Sequence, residues 1–161
     1  MKTLMLSLMM LVLASISACG QKANLYDPQA DAQAELQQAL TTAKAQQKHV
    51  LLQVGGNWCP WCIKRHQFME ANEEISACLS GNYVVLKVNY SKENKNAELL
   101  GSLGNPQRFG FPVLVVLDAD GQRLHTQDTG LLESGEGYDA KKVLSVLKGW
   151  SPEGCKQTGR R

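Results

Sequence analysis

Apolar residues gather in four runs along this chain, and what lies between them sets the expected elements. The first run, Leu4 to about Ile16, follows a single Lys2 and gives way to small residues ending at Cys19. It is too short for a spanning helix and polar sequence follows closely, so residues 1–18 read as an export signal that is removed. From Pro28 to about Lys48 the composition turns to Ala, Gln, Glu and Leu. Leu36, Leu40 and Ala43 recur there at spacings of four and three, predicting a helix with a narrow apolar stripe. Asp27 before Pro28 offers its cap and first-turn residue. Val50 to Val54 is apolar at every position but Gln53, predicting a buried strand that exits through Gly55-Gly56-Asn57. Pro60 to about Leu79 reads as one helix, with Ile63, Phe68, Ile75 and Leu79 apolar. Tyr83 to Val88 is a second strand, and a short helix is placed near Asn96 to Leu103. Val113 to Leu117 is a third strand, which "DADG" turns into a fourth at about Gln122 to Gln127. Tyr138 to Trp150 closes the pattern as a helix.

A strand, a helix and a second strand in sequence predict a parallel pair joined by a crossover, whereas the short "DADG" connection predicts an antiparallel hairpin. The expected fold is α/β, a mixed central sheet with helices on both faces. Residues 28–150 form the domain, 19–27 a tether and 151–161 a polar tail. The mature chain of roughly 143 residues suits a single core. Once Lys2 is removed, 16 basic residues face 15 acidic ones. Neither this balance nor any basic block or aromatic ladder fits a nucleic-acid binder. No internal repeat and no flavin, haem or nucleotide motif is present.

Chemistry concentrates in "VLLQVGGNWCPWCIKRHQFM", where Cys59 and Cys62 stand at the junction of strand and helix. Pro60 suits the first helical position, and the unpaired amides of that helix end face the Cys59 sulfur and favour its thiolate. Cys62, one turn further in, is placed to resolve a mixed disulfide formed at Cys59. A purely structural disulfide and a metal clip remain alternatives. The first closes too short a loop to restrict the unfolded chain much. For the second, His66 lies four residues after Cys62, but no further ligands complete a tetrahedral set. A tethered chaperone or metal-delivery protein is the reading from another functional class. Trp58 is expected beneath the loop and Trp61 partly exposed toward a partner. Lys64-Arg65 and Lys92 to Lys95 read as solvated surface. Cys78 and Cys155 are candidates for a disulfide stapling the tail, if their Cα atoms approach.

"NWCPWC" and "GFPVLVVLDADG" together resemble the thioredoxin family, over nearly all of Lys48 to Trp150, and the "GGxWC" approach resembles its exported single-domain members. The resemblance implies a thioredoxin-like fold and thiol–disulfide oxidoreductase activity on protein thiols or disulfides, with no cofactor. It implies Cys59 and Cys62 as the catalytic pair and a cis Pro112, preceded by Phe111, facing them. Trp58, Pro60, Trp61, Phe111 and Pro112 would then contact substrate. A membrane-bound dithiol protein is implied as electron partner. One departure is Gln53, which stands where many thioredoxins carry a buried acid and cannot exchange a proton. Ile16, Ser17 and Ala18 before Cys19 resemble the lipobox of bacterial lipoproteins, implying acylation of Cys19 and attachment to a bilayer. With Gly20 following, that resemblance implies the outer membrane, with the domain in the periplasm.

Overall fold

The computed structural model describes residues 24–158; the signal segment and Cys19 lie outside them. Helix α1 spans Ala32–Gln46 and strand β1 His49–Gly55, followed by helices α2 (Pro60–Ala71) and α3 (Glu73–Asn82) and strand β2 (Tyr83–Asn89). Helix α4 (Ala97–Ser102) and a 3-10 turn at Pro106–Phe109 lead to β3 (Val113–Leu117) and β4 (Arg123–Asp128). A second 3-10 turn at Thr129–Leu132, the small β5–β6 hairpin (Glu133–Ser134 and Gly137–Tyr138), α5 (Ala140–Gly149) and α6 (Pro152–Thr158) complete the chain.

The main sheet has the order β2-β1-β3-β4, with β1 parallel to β2 and antiparallel to β3. The parallel pair, the β3–β4 hairpin and the mixed sheet are those the apolar runs predict. Alternation within those runs separates the two faces. Val50, Leu52, Val54, Val113, Val115 and Leu117 point toward α1 and α4, where they meet Leu36, Ala43 and Leu100. Leu51, Leu114 and Val116 point the other way, toward Met69, Ile75, Val143 and Leu147 of α2, α3 and α5. Both faces of β1 and β3 are covered, which is why these strands read as apolar runs broken only at His49 and Gln53.

Local polar groups move several boundaries. Helix α1 begins at Ala32 because Asp31 accepts from the amides of Gln33 and Ala34, at 3.1 and 3.0 Å. Asp27, expected as the cap, instead closes a turn by accepting from Gln29 N at 2.8 Å. The single helix expected over Pro60 to Leu79 is two. Asn72 leaves helical geometry at φ −94°, ψ 110°, and its side chain accepts from Ile75 N at 3.0 Å, capping α3 as α2 ends. Tyr138 pairs in β6, so the last long helix starts at Ala140 with Asp139 as its cap. The expected polar tail folds back as α6, with Gly154 N donating to Ser151 Oγ at 3.1 Å. At the other end, Tyr26 is fully buried, so the stretch read as a tether already belongs to the packed domain there.

No helix among the described residues is long and apolar enough to cross a membrane. The staple considered between Cys78 and Cys155 is not formed: Cys78 is in no disulfide and its sulfur is buried, 3.9 Å from Asn82 Nδ2. Replacing Asn72 by Ala removes the α3 cap and will destabilise the domain by about 1 kcal/mol, read as a lower urea midpoint at unchanged slope.

Candidate active site

Strand β1 delivers the chain to the sheet's edge of loops, and Gly55-Gly56-Asn57-Trp58 carries it into α2. Cys59 is the N-cap of that helix, with extended backbone at φ −97°, ψ 105°, and Pro60 occupies the first helical position. Cys59 and Cys62 form a disulfide with Cα atoms 5.3 Å apart. The Cys62 amide donates to Cys59 Sγ at 3.1 Å, a bond shared with Cys59 O at 3.1 Å, so an N–H of the helix end is turned on this sulfur. Such a donor, aligned with the helix dipole, stabilises negative charge on Cys59 after reduction. Cys62 is completely buried and Cys59 keeps 3 % of its surface, less than expected for an attacking group.

Leu25, Trp61 and Phe111 pack against the cysteine pair, and further aromatic rings gather around Phe111. Trp58 stands 56 % exposed, its indole N–H donating to Tyr90 O at 2.7 Å and its ring meeting the edge of Phe111 at 5.4 Å. Tyr90 lies against the other side of Phe111, ring centres 4.7 Å apart. Gly56 makes this possible, since a Cβ there would fall 2.4 Å from the indole nitrogen. The Phe111–Pro112 peptide is cis, Pro112 is buried, and its carbonyl accepts from the Thr129 hydroxyl. Pro60 is exposed at the rim. Trp58 lies outside rather than beneath the loop as expected, whereas Trp61 is partly exposed as expected. Trp61 is the half-buried one, edge-on to Tyr138 at 5.6 Å with Lys64 Nζ 4.6 Å from its ring centre, because its helical position turns it toward β6. Beside Trp58 a groove of about 580 Å³ runs along Tyr90, Ser91, Lys92, Glu93 and Lys95.

Beneath the disulfide lies a polar network that the sequence did not disclose. Arg65, expected on the solvated surface, is 1 % exposed. Its Nη2 donates to Tyr26 Oη at 3.1 Å and to Gln53 Oε1 at 3.0 Å. Tyr26 packs directly with Cys59 and Cys62. It is held by a reciprocal pair of bonds to Asn57: Tyr26 N donates to Asn57 Oδ1 at 3.0 Å, and Asn57 Nδ2 donates to Tyr26 O at 2.7 Å. Two signals could have exposed this network. Leu25-Tyr26 is an apolar pair in polar surroundings, and Arg65 follows Cys62 at the i, i+3 spacing of one helix face. His66 faces elsewhere, 3.3 Å from Glu70, and burial lowers its pKa from the usual histidine value. Among the described residues no group of three or more His, Cys, Asp or Glu is placed to hold a metal ion.

Known proteins place this geometry. A family model described as "Thioredoxin-like" matches residues 31–119, just over half of the chain. The chain is 30% identical over 120 residues to the disulfide bond reductase DsbH of Chlamydia pneumoniae, covering 69% of each protein. It is also 30% identical over 134 residues to the thiol:disulfide interchange protein DsbD of Klebsiella pneumoniae, an alignment covering 83% of this chain and 21% of that much longer protein. Among solved structures, a disulphide isomerase from Xylella fastidiosa superposes with a TM-score of 0.68 at 27% identity, covering 77% of this chain and 94% of that one. With the fold, the cysteine pair at a helix N-terminus and these relatives in agreement, the chain belongs to the thioredoxin-like family.

Proposed function

We propose that this protein is a thiol–disulfide oxidoreductase of the periplasm, acting on protein thiols or disulfides through Cys59 and Cys62. The observation that carries the reading is the Cys59–Cys62 disulfide at the start of α2, with the Cys62 amide on the Cys59 sulfur. Relatives named as a disulfide reductase, an interchange protein and a disulphide isomerase support the same chemistry.

In the reducing direction, the Cys59 thiolate attacks a substrate disulfide. A bond forms from Cys59 Sγ to one substrate sulfur and the other leaves with the electron pair. Cys62 then attacks Cys59 Sγ, releasing the substrate as a dithiol and leaving Cys59–Cys62 oxidised. Run backward, the same steps oxidise a substrate dithiol, and the potential of the pair against its partners sets the direction. Trp58, Pro60, Trp61, Phe111 and Pro112 line the approach. Cys59 is nearly covered, with Leu25, Trp61 and Phe111 packed against the pair, so an incoming sulfur gains access by displacing that apolar cover. A membrane-bound dithiol protein supplies electrons, in keeping with the similarity to DsbD.

Acylated Cys19 attaches the domain to the outer membrane. The seven residue-to-residue steps from Cys19 to Tyr26 reach at most about 25 Å, so the active-site end of the domain works close to the bilayer.

Three outcomes are expected. Cys59→Ser abolishes insulin reduction, whereas Cys62→Ser accumulates a mixed disulfide at Cys59 that is visible on non-reducing gels; a Cys59→Ser protein of native activity refutes the assignment. Phe111→Ala raises the rate at which dithiothreitol opens the disulfide severalfold, followed by stopped-flow fluorescence, and an unchanged rate removes the covering role of that ring. Cys19→Ser shifts the protein from the detergent phase to the aqueous phase in a cloud-point partition.

A further inference from the structure

Arg65 is a permanently charged side chain enclosed within the domain, and burial of a charge without a counter-charge is unfavourable by several kcal/mol. Among the described residues no carboxylate ion-pairs with it, and its Nε and Nη1 meet no acceptor. Only Nη2 is engaged, by Tyr26 Oη and Gln53 Oε1. Tyr26 accepts that bond with its oxygen, which leaves the phenol's own proton to be donated to another group. The neighbour on that side is a sulfur. A Cβ placed on Gly55 would stand 2.9 Å from Tyr26 Oη and 2.5 Å from Cys62 Sγ, so oxygen and sulfur border the same point.

We propose that Tyr26, oriented by Arg65, donates a hydrogen bond to the Cys62 sulfur and stabilises it as a thiolate when the pair is reduced. The inference rests on Cys59–Cys62 being the redox pair. In the step concerned, one thiolate of a partner protein's dithiol attacks Cys59 Sγ. A partner–Cys59 bond forms, the Cys59–Cys62 bond breaks, and its electron pair leaves on Cys62 Sγ. The partner's second thiolate then displaces Cys59, so the partner departs as a disulfide and two electrons rest on the pair. The anion formed on Cys62 faces a phenol O–H already polarised by a guanidinium N–H, and the buried cation acquires the opposite charge it lacked. No proton crosses. Gln53, its carbonyl oxygen taken by Arg65, completes the orientation of the guanidinium.

The surrounding groups agree with that assignment. Burial raises the Tyr26 pKa above the ordinary phenol value, against the pull of Arg65, so the hydroxyl remains a donor at neutral pH. Burial works against the Arg65 charge, and Tyr26 with Tyr138 of β6 works for it. His66, next on α2, and Glu133, which acts on Tyr138, are the other ionisable groups that reach this network. Arg65 is a positioning residue, and Tyr26 borders the reacting sulfur across Gly55.

The test is a pair of measurements on the whole protein. The first is the equilibrium of Cys59–Cys62 with glutathione, for the native chain, Tyr26→Phe and Arg65→Met. The second is thiolate absorbance against pH in Cys59→Ser, which leaves Cys62 alone, with and without Tyr26→Phe. Tyr26→Phe should disfavour the reduced pair about tenfold, which is about 30 mV toward more reducing potential, with Arg65→Met moving it the same way. The Cys62 midpoint should rise by about one pH unit. An unchanged potential and midpoint in folded Tyr26→Phe overturns the proposal. Should that variant not fold, the Cys59→Ser protein decides alone. A Cys62 midpoint below the ordinary thiol value of about 8.5 supports it, and one at or above that value overturns it. Failure of Cys62→Ser to trap a mixed disulfide strikes the redox reading instead, and leaves the Cys62 titration to be judged separately.

Discussion

At Gly55 three parts of the chain come closer together than any side chain would permit. The end of β1, the Cys62 sulfur on α2 and the Tyr26 hydroxyl of the N-terminal segment converge where a Cβ would lie 2.5 Å from one and 2.9 Å from the other. Every feature of the site follows from that approach. The first turn of α2 is drawn tightly against the strand end, so the helix amides face Cys59, and the N-terminal segment is seated under the disulfide. Gly56 repeats the device one residue later for the Trp58 indole. Two adjacent glycines thus clear space on both sides of the cysteine pair, below for a polar network and above for an aromatic cover.

How much of this was legible depends on the range of the forces involved. Strands β1 and β3 were readable because burial on both faces favours nearly continuous apolar runs such as Val50–Val54 and Val113–Leu117. Strand β2, an edge strand, was readable by its β-branched run at Val84–Val85. Cys59 and Cys62 were readable because helix-end chemistry is local. What escaped was of two kinds. Short-range competition was missed where a polar residue outbids helix propensity, as Asn72 does by capping Ile75 N and Asp31 by capping Gln33 and Ala34. Long-range partnership was missed where sequence-distant groups meet: Tyr26 with Arg65, and Trp58 with Tyr90 O, are separated by 39 and 32 residues. A charged residue in a helix reads as solvated unless its distant partners are known, which is why Arg65 was placed outside and is found within.

The same partnerships explain where the two tryptophans settle, Trp58 outside the loop that was expected to bury it. A tryptophan settles where its N–H finds an acceptor and its ring finds a face. For Trp58 both lie outward, at Tyr90 O and Phe111, and for Trp61 the ring finds Tyr138 beneath Lys64. The redox pair therefore sits between unlike surroundings, the apolar side chains of Leu25, Trp61 and Phe111 on one hand and an enclosed polar network on the other. Charge formed on Cys59 meets a helix end, and charge formed on Cys62 meets a guanidinium through a phenol.

The reciprocal bonds between Asn57 and the Tyr26 backbone act as a two-point buckle. Asn57 is two residues from Cys59, so any pull transmitted through the N-terminal segment arrives first at the loop carrying the disulfide, ahead of every helix and strand. A leash fastened at that place would steer the catalytic end toward whatever surface holds it, and tension in it would be felt at the sulfur.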